Sequence, residues 1–155
     1  MSNVYLDIIT TFLGCLLIIL VAWYVLYSFS HMKALKALGY NKAWLAWFPP
    51  LGLYWALADV ALDLDGEYDM EICSFCIPGL VFKLWWLIAI AVSFIPVAGT
   101  ILNIVLIVIC SGTCYRKIYA KLDGKDESEV RVLGYLSGLF PIIAAFKFLT
   151  GKYSA

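Results

Sequence analysis

Between Lys83 and Arg116 the chain carries no charged residue: Leu84 to Tyr115 is an unbroken uncharged run of 32 positions. As a single helix that run would measure about 48 Å at 1.5 Å per residue, far beyond a hydrocarbon core of about 30 Å. A chain of this kind has to reverse inside the run. The place is "IPVAGT", Ile95 to Thr100, where proline removes a backbone donor and Gly99 permits a tight turn. The expected product is a hairpin of two spanning helices, 78–95 and 98–116, with Lys83 snorkelling toward the headgroups.

A second uncharged run, Ile8 to Ser30, is 23 residues long, or about 34 Å of helix, and is expected to span as 8–30. A cleaved leader needs a basic start, whereas the first lysines here come after the run, so an uncleaved anchor is expected. With 64% of residues hydrophobic and 14% charged, there is too little polar surface to cover a soluble globule. The chain reads as an all-α integral membrane protein of one domain, its partner first of all the lipid bilayer. Its formal net charge is zero, so no nucleic acid is expected as a partner.

Two shorter apolar segments, 42–63 and 130–150, are each interrupted by a Phe-Pro break, "WFPPL" and "LFPII". Each follows a long apolar helix and a basic connector, which suggests a weak internal duplication. Their uncharged stretches give about 24 and 22 Å of helix, short of a comfortable span. If both turn back or lie flat, every Lys and Arg falls on one side, as the cytoplasmic excess of basic residues requires. The expected architecture is therefore three transmembrane helices plus two Pro-broken re-entrant or interfacial helical hairpins, with the N-terminus outside and the C-terminus inside. Five kinked transmembrane helices are the alternative. The broken region, with Trp47, Phe48, Pro49, Pro50, Tyr54, Phe140 and Pro141, is a candidate binding region, because paired broken segments in two halves also mark transporter sites. Asp59, next to an apolar run, is the ionisable residue to watch at membrane depth.

"ALKALGYNKAWLAWFPPLGLYWALADV" and "LSGLFPIIAAFKFL" together resemble segments of small, largely uncharacterised bacterial polytopic membrane proteins, over about a third of the chain. There a Lys-Ala-Trp-Leu-Ala-Trp run leads into a proline and a Tyr-containing helix. The resemblance implies a bacterial cytoplasmic membrane and no activity. Members carry one proline and then an Asn; here Pro49, Pro50 and Gly52 stand instead.

Cysteine supplies the one constellation with chemical reach. Cys73 and Cys76 form a C-x-x-C before the hairpin, and Cys110 and Cys114 lie four apart near its end, so a hairpin should bring all four to one membrane surface. They are candidates for zinc or an iron-sulfur cluster, or for disulfides and thiol exchange, against the plainer reading as small apolar residues. Cys15 reads as packing. The acidic stretch Asp59, Asp63, Asp65, Glu67, Asp69 and Glu71 reads as a solvated loop or docking surface, since its glycine is misplaced for a calcium loop. His31, the single histidine, reads as an interfacial residue. Lys33, Lys36, Arg116 and Lys117 are candidates for lipid headgroups. No hydrolytic or phosphate-binding motif is present. Three functions follow: a non-enzymatic accessory subunit that binds other membrane proteins, a homo-oligomeric channel or transporter, or a thiol-redox or tetrathiolate metal-binding membrane protein.

Overall fold

The computed structural model describes residues 2–63, 69–72 and 75–153, with side chains from residue 4 onward. The chain is predominantly helical, with a short two-stranded hairpin. Helix α1 runs Ser2–Ala37 without a proline or an internal glycine cost large enough to break it. The hydroxyls of Thr10 and Thr11 fold back onto the carbonyls of Leu6 and Asp7 at 2.8 Å, so neither is left bare in an apolar surround. The helix stops where Gly39 takes a left-handed φ of 76°. There the amides of Gly39 and Tyr40 close on the carbonyls of Lys36 and Leu35, satisfying the helix end.

A 3-10 turn, Ala43–Trp47, follows, and helix α2, Leu51–Asp63, begins beyond the two prolines. Strands β1, Asp69–Ile72, and β2, Phe75–Pro78, pair antiparallel with Ile72 opposite Phe75; Met70 and Ile72 point inward. Then come α3, Gly79–Lys83, and α4, Trp85–Ser93, separated at Leu84. Helix α5, Ala98–Asp123, ends on Gly124 at φ 62° and returns through Asp126 to α6, Glu127–Leu139. Helix α7, Pro141–Thr150, starts on the proline, whose missing amide is no loss at that position.

Among the described residues, two helices are long and apolar enough to cross a membrane: α1, from Val4, and α5. The first hairpin arm expected from sequence as one helix over 78–95 is instead two short helices, neither of spanning length. The break at Leu84 has a tertiary cause: it lets Lys83 face Asp59 while Trp85 lies against Tyr54.

Burial is lopsided. Every residue from Val4 to Val25 is exposed, whereas the inner end of α1, with His31, Ala34 and Leu35, is packed. Around that end gather the 3-10 turn, α2, the second half of α5, α6 and α7, burying Leu53, Leu57, Tyr115, Ile118, Tyr119 and Phe148. The tightest contact is between α5 and α6. A Cβ added to Gly134 would lie 2.8 Å from the Arg116 backbone, and one on Gly138 would lie 2.8 Å from the Gly112 amide. The two glycines, four apart on α6, are what allows the helix backbones to approach.

Candidate functional site

The polar interior is built on His31. The residue is fully buried on α1, and its Nδ1 lies 2.8 Å from the Tyr27 carbonyl, one helical turn back. A carbonyl can only accept, so Nδ1 carries the proton and Nε2 presents a lone pair. That lone pair receives the Tyr115 hydroxyl of α5 at 2.9 Å. The edge of Phe148 of α7 meets the imidazole with ring centroids 5.2 Å apart. One turn along α5, the Tyr119 hydroxyl donates to Ser137 Oγ of α6 at 2.7 Å. Two hydrogen bonds and an aromatic contact thus join α1, α5, α6 and α7. Both histidine nitrogens are used within the protein, so the imidazole orders helices and is not held ready as a base. The sequence reading of His31 as an interfacial residue does not foresee that it is buried between helices.

A second polar group sits beside α2. Asp59 Oδ2 accepts from the Tyr40 hydroxyl at 2.7 Å, and Oδ1 pairs closely with Lys83 Nζ. Burial alone would raise the Asp59 carboxyl; Lys83 and Tyr40, with Lys42 farther off, outweigh it and hold the carboxyl below its ordinary range. Tyr40 shifts upward, through burial and then through its bond to Asp59. Lys83, expected at the headgroups, is thus part-buried and paired with a partner on α2.

The broken segments pack chiefly on α1 and α5. Trp47 donates its indole N–H to Met32 Sδ at 3.3 Å, and its carbonyl receives the Tyr24 hydroxyl. Phe48 and Phe140 are exposed, Pro49 and Pro50 precede α2, and Pro141 opens α7. Tyr54 stands against Trp85, centroids 4.8 Å apart, on the wall of a cavity between α2, α4 and α5.

Of the four thiols expected to gather, the three described ones do not converge. Cys110 and Cys114 are buried on α5, Cys76 is exposed on β2 near Asp69, and Cys73 lies outside the described residues, as do Asp65 and Glu67. Among the described residues no three His, Cys, Asp or Glu side chains converge as a metal site. The reason is local. The strand that carries Cys76 turns its sulfur to the surface, while the Cys110–Cys114 face of α5 is turned into the packed interior.

Of the four headgroup candidates, three are engaged or buried within the protein. Lys33 Nζ donates to the carbonyls of Leu149 and Gly151 at 3.0 and 2.8 Å, closing the end of α7. Arg116 pairs with Glu127 at 2.7 Å, and Lys117 is buried. Lys36 remains exposed, with Lys42, Lys121, Lys125, Arg131 and Lys152. Two features escaped the sequence reading: the His31–Tyr115 bond, for which a lone histidine gives no spacing signal, and Gly134-x-x-x-Gly138, which the spacing does announce. No family model, curated protein or solved structure matches the chain.

Proposed function

We propose that the protein is a non-enzymatic multi-pass subunit of a bacterial cytoplasmic membrane, docking a transmembrane helix of a partner on the outer half of α1. The observation that carries this reading is the exposure of every residue from Val4 to Val25 around the whole helix, while the inner end of the same helix is fully packed. On one face of that stretch lie Thr10 and Gly14, four residues apart, and nothing stands within 4 Å of where a Gly14 Cβ would be. Small residues at that spacing let helix backbones approach in lipid, where burial of apolar area alone drives no association.

In this reading α1 crosses with its N-terminus outside. The α3–α4 arm and α5 form the hairpin of two further crossings, and the 3-10 turn with α2, and α6 with α7, rest as interfacial hairpins on the cytoplasmic side. The absence of any Lys or Arg before His31 supports that orientation, since all eleven basic residues then share one side.

The test is photo-crosslinking in native membranes from unnatural residues placed singly at Thr10, Gly14, Phe12 and Leu16. A discrete adduct from Thr10 and Gly14 but not from Phe12 and Leu16, on the opposite face, is expected. Its mass distinguishes a different subunit from a second copy of the chain. Lipid adducts alone from all four positions would overturn the proposal.

A further inference from the structure

Between the end of α1, the last turn of α5 and the chain just after α7 opens a cleft of about 300 Å³, lined by Ala37, Leu38, Lys121, Leu122, Lys152 and Tyr153. Both lysines are exposed, and among the described residues neither has a hydrogen-bond or ion-pair partner. No carboxylate is among the described residues that line the cleft. Asp123, two residues beyond Lys121, is already neutralised by Lys147 at 2.7 Å. Carbonyls at the neighbouring helix ends, which would repel an anion, are occupied as well. Those of Leu35 and Lys36 accept from the amides of Tyr40 and Gly39, and those of Leu149 and Gly151 accept from Lys33. The cleft therefore offers two ammonium groups with no counter-charge, beside the apolar side chains of Ala37, Leu38 and Leu122.

Position narrows what can meet them. Ala37 lies six residues beyond His31, and Lys121 lies six beyond Tyr115, its hydrogen-bond partner, so both stand about 9 Å along their helices from one shared level. In the proposed topology that level is near the inner edge of the hydrocarbon. The headgroup layer adds about 5–7 Å on each side, and a lysine stem reaches back across the difference. The volume stands at the lower bound of the roughly 300–1,000 Å³ of ligand pockets, which suits a headgroup and not a whole lipid. The apolar part of the lining gives a bare inorganic ion nothing that water does not, whereas it covers the carbon skeleton of a glycerol headgroup.

We propose that this cleft holds the phosphate headgroup of an anionic glycerophospholipid of the inner leaflet, with Lys121 and Lys152 on its phosphate oxygens. One lipid then ties together the end of α1, the end of α5 and the segment after α7. The depth of the cleft rests on the proposed topology; its headgroup selectivity is measured in micelles, where no topology enters, so the two can fail separately.

Native mass spectrometry of the full chain, released from micelles that contain equal amounts of dioleoylphosphatidylglycerol and dioleoylphosphatidylcholine, reads the selectivity. Preferential retention of one phosphatidylglycerol is expected. Lys121→Gln and Lys152→Gln should each weaken that retention about fivefold, and the double variant about twenty-five-fold. Lys42→Gln removes another exposed charge, one that does not line the cleft, and should leave retention unchanged. Inorganic phosphate and glycerol 3-phosphate should not displace the lipid. Equal retention of the two lipids overturns the proposal, as does an equal loss in Lys42→Gln, which would assign the attraction to diffuse surface charge. Displacement of the lipid by either soluble anion overturns it in favour of a free phosphate compound.

Discussion

Asp59 shows how one carboxylate can decide the path of a chain. Its two oxygens take Tyr40 and Lys83, which come from the connector after α1 and from the end of α3, so three segments distant in sequence meet on it. A carboxyl depressed in the folded state stabilises at pH values above its ordinary range, near about 3.9, and the stabilisation is lost as pH falls through the folded value. Asp59→Asn removes the charge and leaves Lys83 facing a neutral amide. The variant should be less stable by about 1–3 kcal/mol near neutral pH, since both side chains are largely shielded. Thermal unfolding in detergent at neutral pH and near pH 3 checks this: the gap between variant and parent should close at the acid end. A gap that stays constant with pH would assign the loss to packing.

At the scale of elements, the α5–α6 contact shows why small residues matter more than apolar ones. Small residues let helix backbones approach, so the contact gains by close van der Waals packing and by polar pairs. Gly134 and Gly138 provide the approach, and Tyr119–Ser137 and Arg116–Glu127 provide the polar pairs across the same contact. Gly134→Ala and Gly138→Ala should each destabilise by about 1–3 kcal/mol, because the methyl meets backbone that cannot move aside. Gly14→Ala, into open space on α1, should leave stability unchanged or raise it slightly. Denaturant titration of the three variants followed by helical circular dichroism distinguishes them. These elements also mark how far sequence reasoning reaches. Prolines 49, 50 and 141 and the glycine-bearing turn near Ile95 are legible because each acts on its own backbone. The break at Leu84 is not, because it depends on Asp59 and Tyr54, which lie some 25 to 30 residues earlier in sequence. For the same reason Lys33 reads from sequence as a lipid-facing lysine: its partners are carbonyls at the far end of the chain. The contacts around His31 likewise join residues of which only one is unusual in type.

For the whole molecule, the His31–Tyr115 bond supplies a common level from which α1 and α5 can be compared. Val4 lies 27 residues before His31, about 40 Å of helix, whereas Ala98 lies 17 residues before Tyr115, about 25 Å. In the proposed topology the next turn of α1 beyond His31, with Lys33 and then Lys36, marks the inner edge of the hydrocarbon within a few ångströms of that level. In that topology the hairpin falls a few ångströms short of a core of about 30 Å, and α1 exceeds it. The tip fits this placement, since Phe94 and Val97 are 83% and 81% exposed within an uncharged stretch of sequence, a costly arrangement in water and a stable one at the edge of lipid. Single thiols at Val4, Val97, Lys36 and Lys121, introduced into a chain with its five cysteines replaced, turn this into a measurement. A membrane-impermeant maleimide should label Val4→Cys from outside and both Lys36→Cys and Lys121→Cys from inside. Val97→Cys should react with it slowly from either side, yet readily with a permeant reagent. Rapid labelling of Val97→Cys from outside would mean that the hairpin emerges into water. Opposite sidedness of Lys36→Cys and Lys121→Cys would mean that α2 crosses the bilayer, and the basic residues would then no longer share one face.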